Sequence, residues 1–260
     1  MNTLTIDIGN SKIKLDYWAN DGILLRSESD FLPMDEIKSR VEGIDIKGII
    51  VSSVRTGNED IIKALREESG CETIIDFNRE EVDKYKDKIK YKGNIGYDRV
   101  AAYIGGEALL PNRAKLIVDA GTAITLDIVD KEGNYRGGNI SLGLYSRMKA
   151  LADATSLLPK VKEAFLTSFF GDNTASAIKS GAINGVTGEV LYTIEIAKQA
   201  HDIEWVVITG GDSDMFLRTV WNKWEKCFPD EDLVGRGLNY HLRKYYFPEV
   251  FLHTKFLPSL

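Results

Sequence analysis

The feature that most constrains this chain is a short pattern that occurs twice. Residues 117–127 read Ile-Val-Asp-Ala-Gly-Thr-Ala-Ile-Thr-Leu-Asp: an apolar run closed by Asp119, a glycine turn with Thr122, then a second alternating run through Thr125. Alternation on both sides of a glycine predicts a β-hairpin with a polar tip. Residues 3–11 read Thr-Leu-Thr-Ile-Asp-Ile-Gly-Asn-Ser, so that Leu4 aligns with Leu116, Asp7 with Asp119 and Gly9 with Gly121. After a one-residue slip, Leu15-Asp16 aligns with Leu126-Asp127. Taken singly, either copy reads equally well as an ordinary hairpin whose aspartate accepts hydrogen bonds from its own turn. A duplicate half a chain away points instead to two related lobes facing each other across a cleft. A glycine turn lets the backbone approach a bulky anion, and successive amide N–H groups there form an anion-binding concavity. With a carboxylate beside each turn, the arrangement suits a nucleoside triphosphate carrying Mg²⁺.

The 260 residues accommodate two domains of about half that length. Pro111–Ala114 marks the boundary, giving lobes of 1–112 and 113–260. Between and after the hairpins, buried strands alternate with helices, which makes the class α/β. Gly48–Val54 reads as a strand apolar on both faces, followed by an amphipathic helix from Asn58 to Ser69 and a short strand from Glu72 to Phe77. The charged stretch 78–92 reads as a solvated loop or frayed helix. In the second half, strands run from Lys115 to Ile140, with a close backbone approach at Gly137-Gly138. Helices cover Leu144–Ala154 and Thr174–Ala200. Trp205–Asp212 is a buried strand ending in Gly210-Gly211, and a last helix spans Asn239–Tyr246.

The formal net charge of −6 leaves no nucleic-acid footprint, and no run approaches the ~20 apolar residues of a membrane span. The chain starts on a strand without a secretory leader, so a cytoplasmic protein is expected. Cys71 and Cys227 are far apart and outside any CxxC pattern, which argues for free thiols in a reducing compartment. His201, His241 and His253 lie away from every motif and read as surface or packing residues.

Gly96-Tyr97-Asp98-Arg99 opens a helix rich in small residues that runs to Leu110. Asp98 has two readings: an N-cap for that helix, or a carboxylate able to take the proton from an attacking hydroxyl. Arg99 offers a planar fork for an anionic substrate carboxylate.

Seven motifs, in order, together resemble the type III pantothenate kinase family. They are Asp7–Ser11, Gly96–Arg99, Asp119–Ala123, Gly137–Ile140, Gly171–Thr174, Thr209–Asp212 and Leu233–Leu238. The resemblance implies two duplicated ribonuclease-H-like lobes of the actin, sugar-kinase and Hsp70 ATPase superfamily. It implies ATP-dependent phosphorylation of pantothenate to 4′-phosphopantothenate, the first step of coenzyme A biosynthesis, by a homodimer. By the same resemblance, Asp7, Ile8, Gly9, Asn10, Ser11, Lys12, Ile13 and Lys14 form the first phosphate-binding hairpin, with Asp7 serving Mg²⁺–ATP. Thr122 contacts ATP, and Asp119 holds a monovalent cation, K⁺ or NH₄⁺. Gly96, Tyr97, Asp98 and Arg99 bind pantothenate, with Asp98 as the base, and Thr174 assists across a dimer interface. Tyr91 or Tyr85 fills the family's substrate tyrosine position, because the segment before Gly96 is about two residues short. Leu142 stands where the family usually has proline.

Two other readings fit part of the pattern. One is a kinase of the same fold acting on another small hydroxy acid or sugar; the other is a non-catalytic regulatory binding protein. The three carboxylates Asp7, Asp98 and Asp119 favour catalysis.

Overall fold

The chain begins with three antiparallel strands, β1 (Asn2–Ile8), β2 (Ile13–Ala19) and β3 (Gly22–Ser29), in a computed structural model that describes residues 1–20, 22–55, 58–162 and 168–251. Asp21, between β2 and β3, lies outside the described residues. Helix α1 (Met34–Ile44) leads into β4 (Ile46–Ser53), α2 (Asn58–Glu68) leads into β5 (Thr73–Asp76), and both β4 and β5 run parallel in the sheet order β3-β2-β1-β4-β5. Helices α1 and α2 are polar on average, yet each turns two apolar residues inward: Ile37 and Val41, Ile62 and Leu65. Those four join Leu4, Ile6, Ile49 and Val51 in one core. At ~1.5–3 kcal/mol per buried aliphatic side chain, this face decides how the helices lie. Two further helices follow, α3 (Arg79–Asp83) and α4 (Tyr97–Leu109).

The same plan then repeats. Strands β6 (Lys115–Ala120), β7 (Ala123–Val129) and β8 (Tyr135–Leu142) are antiparallel. Helices α5 (Leu144–Asp153) and α6 (Thr174–His201) precede β9 (Trp205–Thr209), and α7 (Asp214–Lys223) precedes β10 (Cys227–Pro229). The second sheet is ordered β8-β7-β6-β9-β10, the first sheet's order element for element. Register confirms the alignment read from the sequence: Leu15 pairs with Ile6 and Asp16 with Thr5, as Leu126 pairs with Val118 and Asp127 with Ile117. The one-residue slip is the tip itself. Gly9 N–H bonds to the carbonyl of Lys12, whereas Gly121 N–H bonds to that of Ala123, each at 3.0 Å.

The chain divides into two units, Met1–Pro111 together with the segment beginning at Asp232, and Asn112–Glu231. The expected 113–260 lobe therefore ends at Glu231. The last segment forms α8 (Leu233–Tyr246) and α9 (Pro248–Phe251), and α8 packs on α4 and on strands β1 and β4. Helix α8 begins six residues before the Asn239 expected from sequence. Gly235 and Gly237 read as loop formers in isolation; in the structure they are what allows close packing. A Cβ on Gly237 would lie 1.8 Å from the carbonyl oxygen of Ala101 in α4. Asn239 secures the same face, accepting from Thr3 Oγ1 at 2.6 Å and donating to the Asn20 carbonyl at 2.9 Å.

Segment 78–92 also departs from expectation. Glu81 and Val82 are buried, and Glu81 accepts from Tyr246 Oη at 2.6 Å and contacts His241 Nε2 at 2.5 Å. The charges hide an inward apolar and aromatic stripe, so the segment packs on α8 instead of standing in solvent. Cys71 and Cys227 are free and buried. No described helix is long and apolar enough to cross a membrane.

Candidate active site

Asp7 is the penultimate residue of β1, facing Lys14 across β2 and beside Ser52 on β4. Alternation turns Ile8 and Ile13 into the core, which leaves only their backbones for a ligand. Lys12 pairs with Asp30 at 2.7 Å on the exposed surface, a contact that favours the charged form of each. Arg55, just past β4, reaches the tip: Nε donates to the Gly9 carbonyl at 2.7 Å and Nη2 to the Asn10 carbonyl at 3.2 Å. Sequence reasoning missed Arg55. Its signal lay in register, since β4 runs parallel to β1 and ends beside the tip, Ser53 opposite Ile8.

In the second unit, Asp119 stands between Thr125 on β7 and Thr209 on β9. The turn after β9 folds over it: Gly210 has φ +92°, and a Cβ there would lie 2.5 Å from Asp119 Oδ1 and 2.2 Å from the Ala120 carbonyl oxygen. Only glycine meets both demands. Asp212 N–H then bonds to the Ala120 carbonyl at 2.9 Å, and burial pushes the Asp212 carboxyl up. Thr122 is exposed, and its carbonyl accepts from Gly143 N–H at 3.0 Å and Ser146 Oγ at 2.6 Å. Leu142 ends β8 opposite Ala123, at a strand terminus. The anticipated close approach at Gly138 is real: a Cβ would lie 2.4 Å from Asp127 Oδ1.

Asp98 is not an N-cap. Gly96, in extended conformation, caps α4, and Asp98 occupies the second helical position with Oδ1 accepting the Arg99 N–H at 2.8 Å. A carboxylate in a first turn is favoured by the helix dipole whatever else it does. Arg99 is buried, and its guanidinium carbon lies 5.7 Å from the centre of the Tyr91 ring. Gly96, Asp98, Arg99 and Tyr91 are thus brought together. Tyr85 lies elsewhere: its hydroxyl contacts His241 Nδ1 at 2.9 Å, its ring packs edge-on to Tyr103 and Tyr245, and burial pushes its hydroxyl up. His241 is fully buried, a packing residue as read; His253 lies outside the described residues.

Thr174 is the exposed first residue of α6. A capping box holds it in place: Ser176 N–H donates to Asn173 Oδ1 and Asn173 N–H to Ser176 Oγ, both at 3.0 Å. Among the described residues no three His, Cys, Asp or Glu side chains stand close enough to cage a metal. A single carboxylate such as Asp7 fits the Mg²⁺ pattern in which one or two carboxylates act together with substrate phosphates.

The sequence pattern of the type III pantothenate kinase family matches residues 3–195. A type III pantothenate kinase from Porphyromonas gingivalis is 33% identical over 249 residues, covering 91% of this chain and 96% of its own. Among solved structures, a protein described as a Baf family transcriptional activator from Campylobacter jejuni superposes with a TM-score of 0.60 at 20% identity, covering 95% of this chain and 99% of that one. A ROK hexokinase from Thermus thermophilus gives 0.52 at 14% identity, covering 93% and 98%. At these identities the two structures speak for the fold, that of actin-like ATPases and sugar kinases.

Proposed function

This chain belongs to the type III pantothenate kinase family and phosphorylates pantothenate with ATP in the first step of coenzyme A synthesis; from that premise we propose how its own residues divide the work. Asp98 is the base. A hydroxyl is a poor nucleophile at neutral pH, so as it attacks the γ-phosphorus its proton passes to the Asp98 carboxylate while the bond to ADP breaks. Arg99 binds the pantothenate carboxylate through its fork, and Tyr91 closes over it; Gly96 and Tyr97 complete the pocket through the turn that caps α4. The observation carrying this assignment is the grouping of the Asp98 carboxylate, the buried Arg99 and the Tyr91 ring at the head of one helix.

The hairpin from Asp7 to Lys14 binds the triphosphate through the amides of Asn10 and Ser11, aided by Lys12 and Lys14, and Thr122 contacts ATP. Asp7 would hold the Mg²⁺ that accompanies ATP, and Asp119 would hold K⁺ or NH₄⁺. Screening of phosphate charge is the chemistry these ions supply. Titrating Asp7→Asn and Asp119→Asn with Mg²⁺ and with K⁺ tests the division, and identical responses would remove it. The enzyme works in the cytoplasm as a homodimer in which Thr174 reaches the partner's pantothenate site. Mixing Asp98→Asn subunits with Thr174→Arg subunits should then restore part of the activity lost in each.

The deciding experiment is formation of 4′-phosphopantothenate by the purified protein from ATP and pantothenate, with and without K⁺, beside a panel of small hydroxy acids and sugars. Turnover of another panel member in preference to pantothenate would overturn the substrate assignment. Absence of phosphoryl transfer to any of them would leave a binding protein.

A further inference from the structure

Both hairpin tips share a feature that the duplicated sequence does not show: the tip carbonyls are held from behind. In the second unit the Thr122 carbonyl takes hydrogen bonds from Gly143 N–H and Ser146 Oγ. In the first, the same task falls to one side chain. Arg55 Nε and Nη2 donate to the carbonyls of Gly9 and Asn10, two successive peptide units. Arg55 is itself fixed, because Ser53 Oγ accepts its N–H at 2.9 Å and Val54 N–H extends the β1–β4 ladder to the Ile8 carbonyl at 3.1 Å.

The consequence follows from peptide geometry. In a trans peptide the carbonyl of one residue and the N–H of the next point in opposite directions, and among the described residues there is no cis bond. Drawing the Gly9 and Asn10 carbonyls toward one guanidinium therefore turns the N–H groups of Asn10 and Ser11 to the opposite side, together. Two successive N–H groups aimed one way make an anion-binding nest. A guanidinium suits this task because its donors form a rigid fork; a lysine ammonium supplies the charge without the geometry.

We propose that Arg55 is a positioning residue for the phosphate-binding hairpin, which holds the tip carbonyls so that the Asn10 and Ser11 amides face the phosphates of ATP. The inference rests on the reading of this hairpin as the triphosphate site. Arg55 acts through the backbone and takes no part in proton transfer. Its loss weakens the hold on ATP and leaves the pantothenate side intact.

Steady-state kinetics on Arg55→Met, Arg55→Lys and Ser53→Ala provide the test, with melting temperatures measured alongside and binding of a non-hydrolysable ATP analogue measured by calorimetry. The expected result for Arg55→Met is a KM for ATP and an analogue Kd each raised about tenfold, with the KM for pantothenate unchanged. Arg55→Lys should recover little of this loss, and Ser53→Ala should show a smaller loss of the same kind. Restoration of normal ATP affinity by lysine would overturn the proposal, since charge alone would then suffice. Unchanged ATP parameters in Arg55→Met, in a wild-type enzyme that phosphorylates pantothenate, would overturn it while leaving the kinase reading intact. Failure of the wild type to bind the analogue would remove both. Should Arg55→Met melt far below wild type, the lysine and Ser53 variants carry the decision by the same criteria.

Discussion

The Arg99 guanidinium lies over the ring of Tyr91, 5.7 Å from its centre, with the arginine 5% exposed and the tyrosine 39% exposed. If Arg99 binds the pantothenate carboxylate as proposed, the Tyr91 ring beside it contributes to substrate binding. Tyr91→Ala should leave the melting temperature near wild type, because a half-exposed side chain contributes little to stability. It should raise the KM for pantothenate about two- to fivefold, the equivalent of a cation–π contact of ~0.5–1 kcal/mol. Tyr85→Ala should do the reverse, costing about 3 kcal/mol of stability through the cavity it leaves in the aromatic cluster around His241. Comparing melts and kinetics of the two variants checks the choice between these tyrosines.

Asp98→Asn separates base from scaffold. The carboxamide oxygen can still accept the Arg99 N–H, and Gly96, not Asp98, caps the helix. The variant should therefore lose under ~1 kcal/mol of stability, the share owed to a charge in the first turn. Turnover should fall at least about a hundredfold, because an amide cannot take the proton. Near-normal kcat would show that Asp98 only shapes the turn.

Much of this was legible in the sequence because it rests on local chemistry. Asp7, Gly9, Asp119 and Gly121 announced two hairpins, and their alignment predicted a duplicated topology that the sheet orders reproduce. What stayed hidden depends on distant partners. Gly235 and Gly237 have poor helix propensity and marked a loop before Asn239; their place inside α8 follows from the close packing that only they permit. Glu81 and Tyr85 sat in a run of charges, and only His241, some 160 residues later, explains why they are inside. Arg55 reaches the hairpin tip only because β4 lies parallel to β1, a pairing that no local pattern specifies.

The tight α4–α8 packing makes a steric prediction. A methyl at position 237 would meet the Ala101 carbonyl oxygen at 1.8 Å and Gly105 N at 2.8 Å, backbone atoms of α4 that cannot rotate away. Gly237→Ala should destabilise by ~1–3 kcal/mol or more. Gly43, near the end of α1, has nothing within 4 Å of an added Cβ, and Gly43→Ala should be neutral or stabilise by up to ~1 kcal/mol. Urea denaturation of both variants measures the contrast, and equal effects would mean that α8 does not pack as described.

The Glu81–His241–Tyr85 network makes stability depend on pH. Burial pushes His241 down to about 4, against the opposing pull of Glu81, and Lys84 and Lys244 disfavour its cation further. Neutral His241 takes one arrangement readily: Nε2–H donates to Glu81 and Nδ1 accepts from the Tyr85 hydroxyl. In the unfolded chain the imidazole titrates near 6.5. Between about 6.5 and 4 the unfolded chain binds a proton that the folded chain refuses, so stability falls as the pH drops through that window, by up to roughly 3 kcal/mol. Glu81 adds a loss of the same sign at lower pH: burial alone would raise its carboxyl, but hydrogen bonds from Lys84, Tyr246 and His241 outweigh that and hold it below its usual range. In His241→Gln, an amide nitrogen replaces Nε2 and nothing titrates there. That variant should be less stable at pH 7 yet lose less between pH 7 and pH 5 than the wild type. Equal losses in urea denaturation at the two pH values would show that the acid sensitivity arises from some other group.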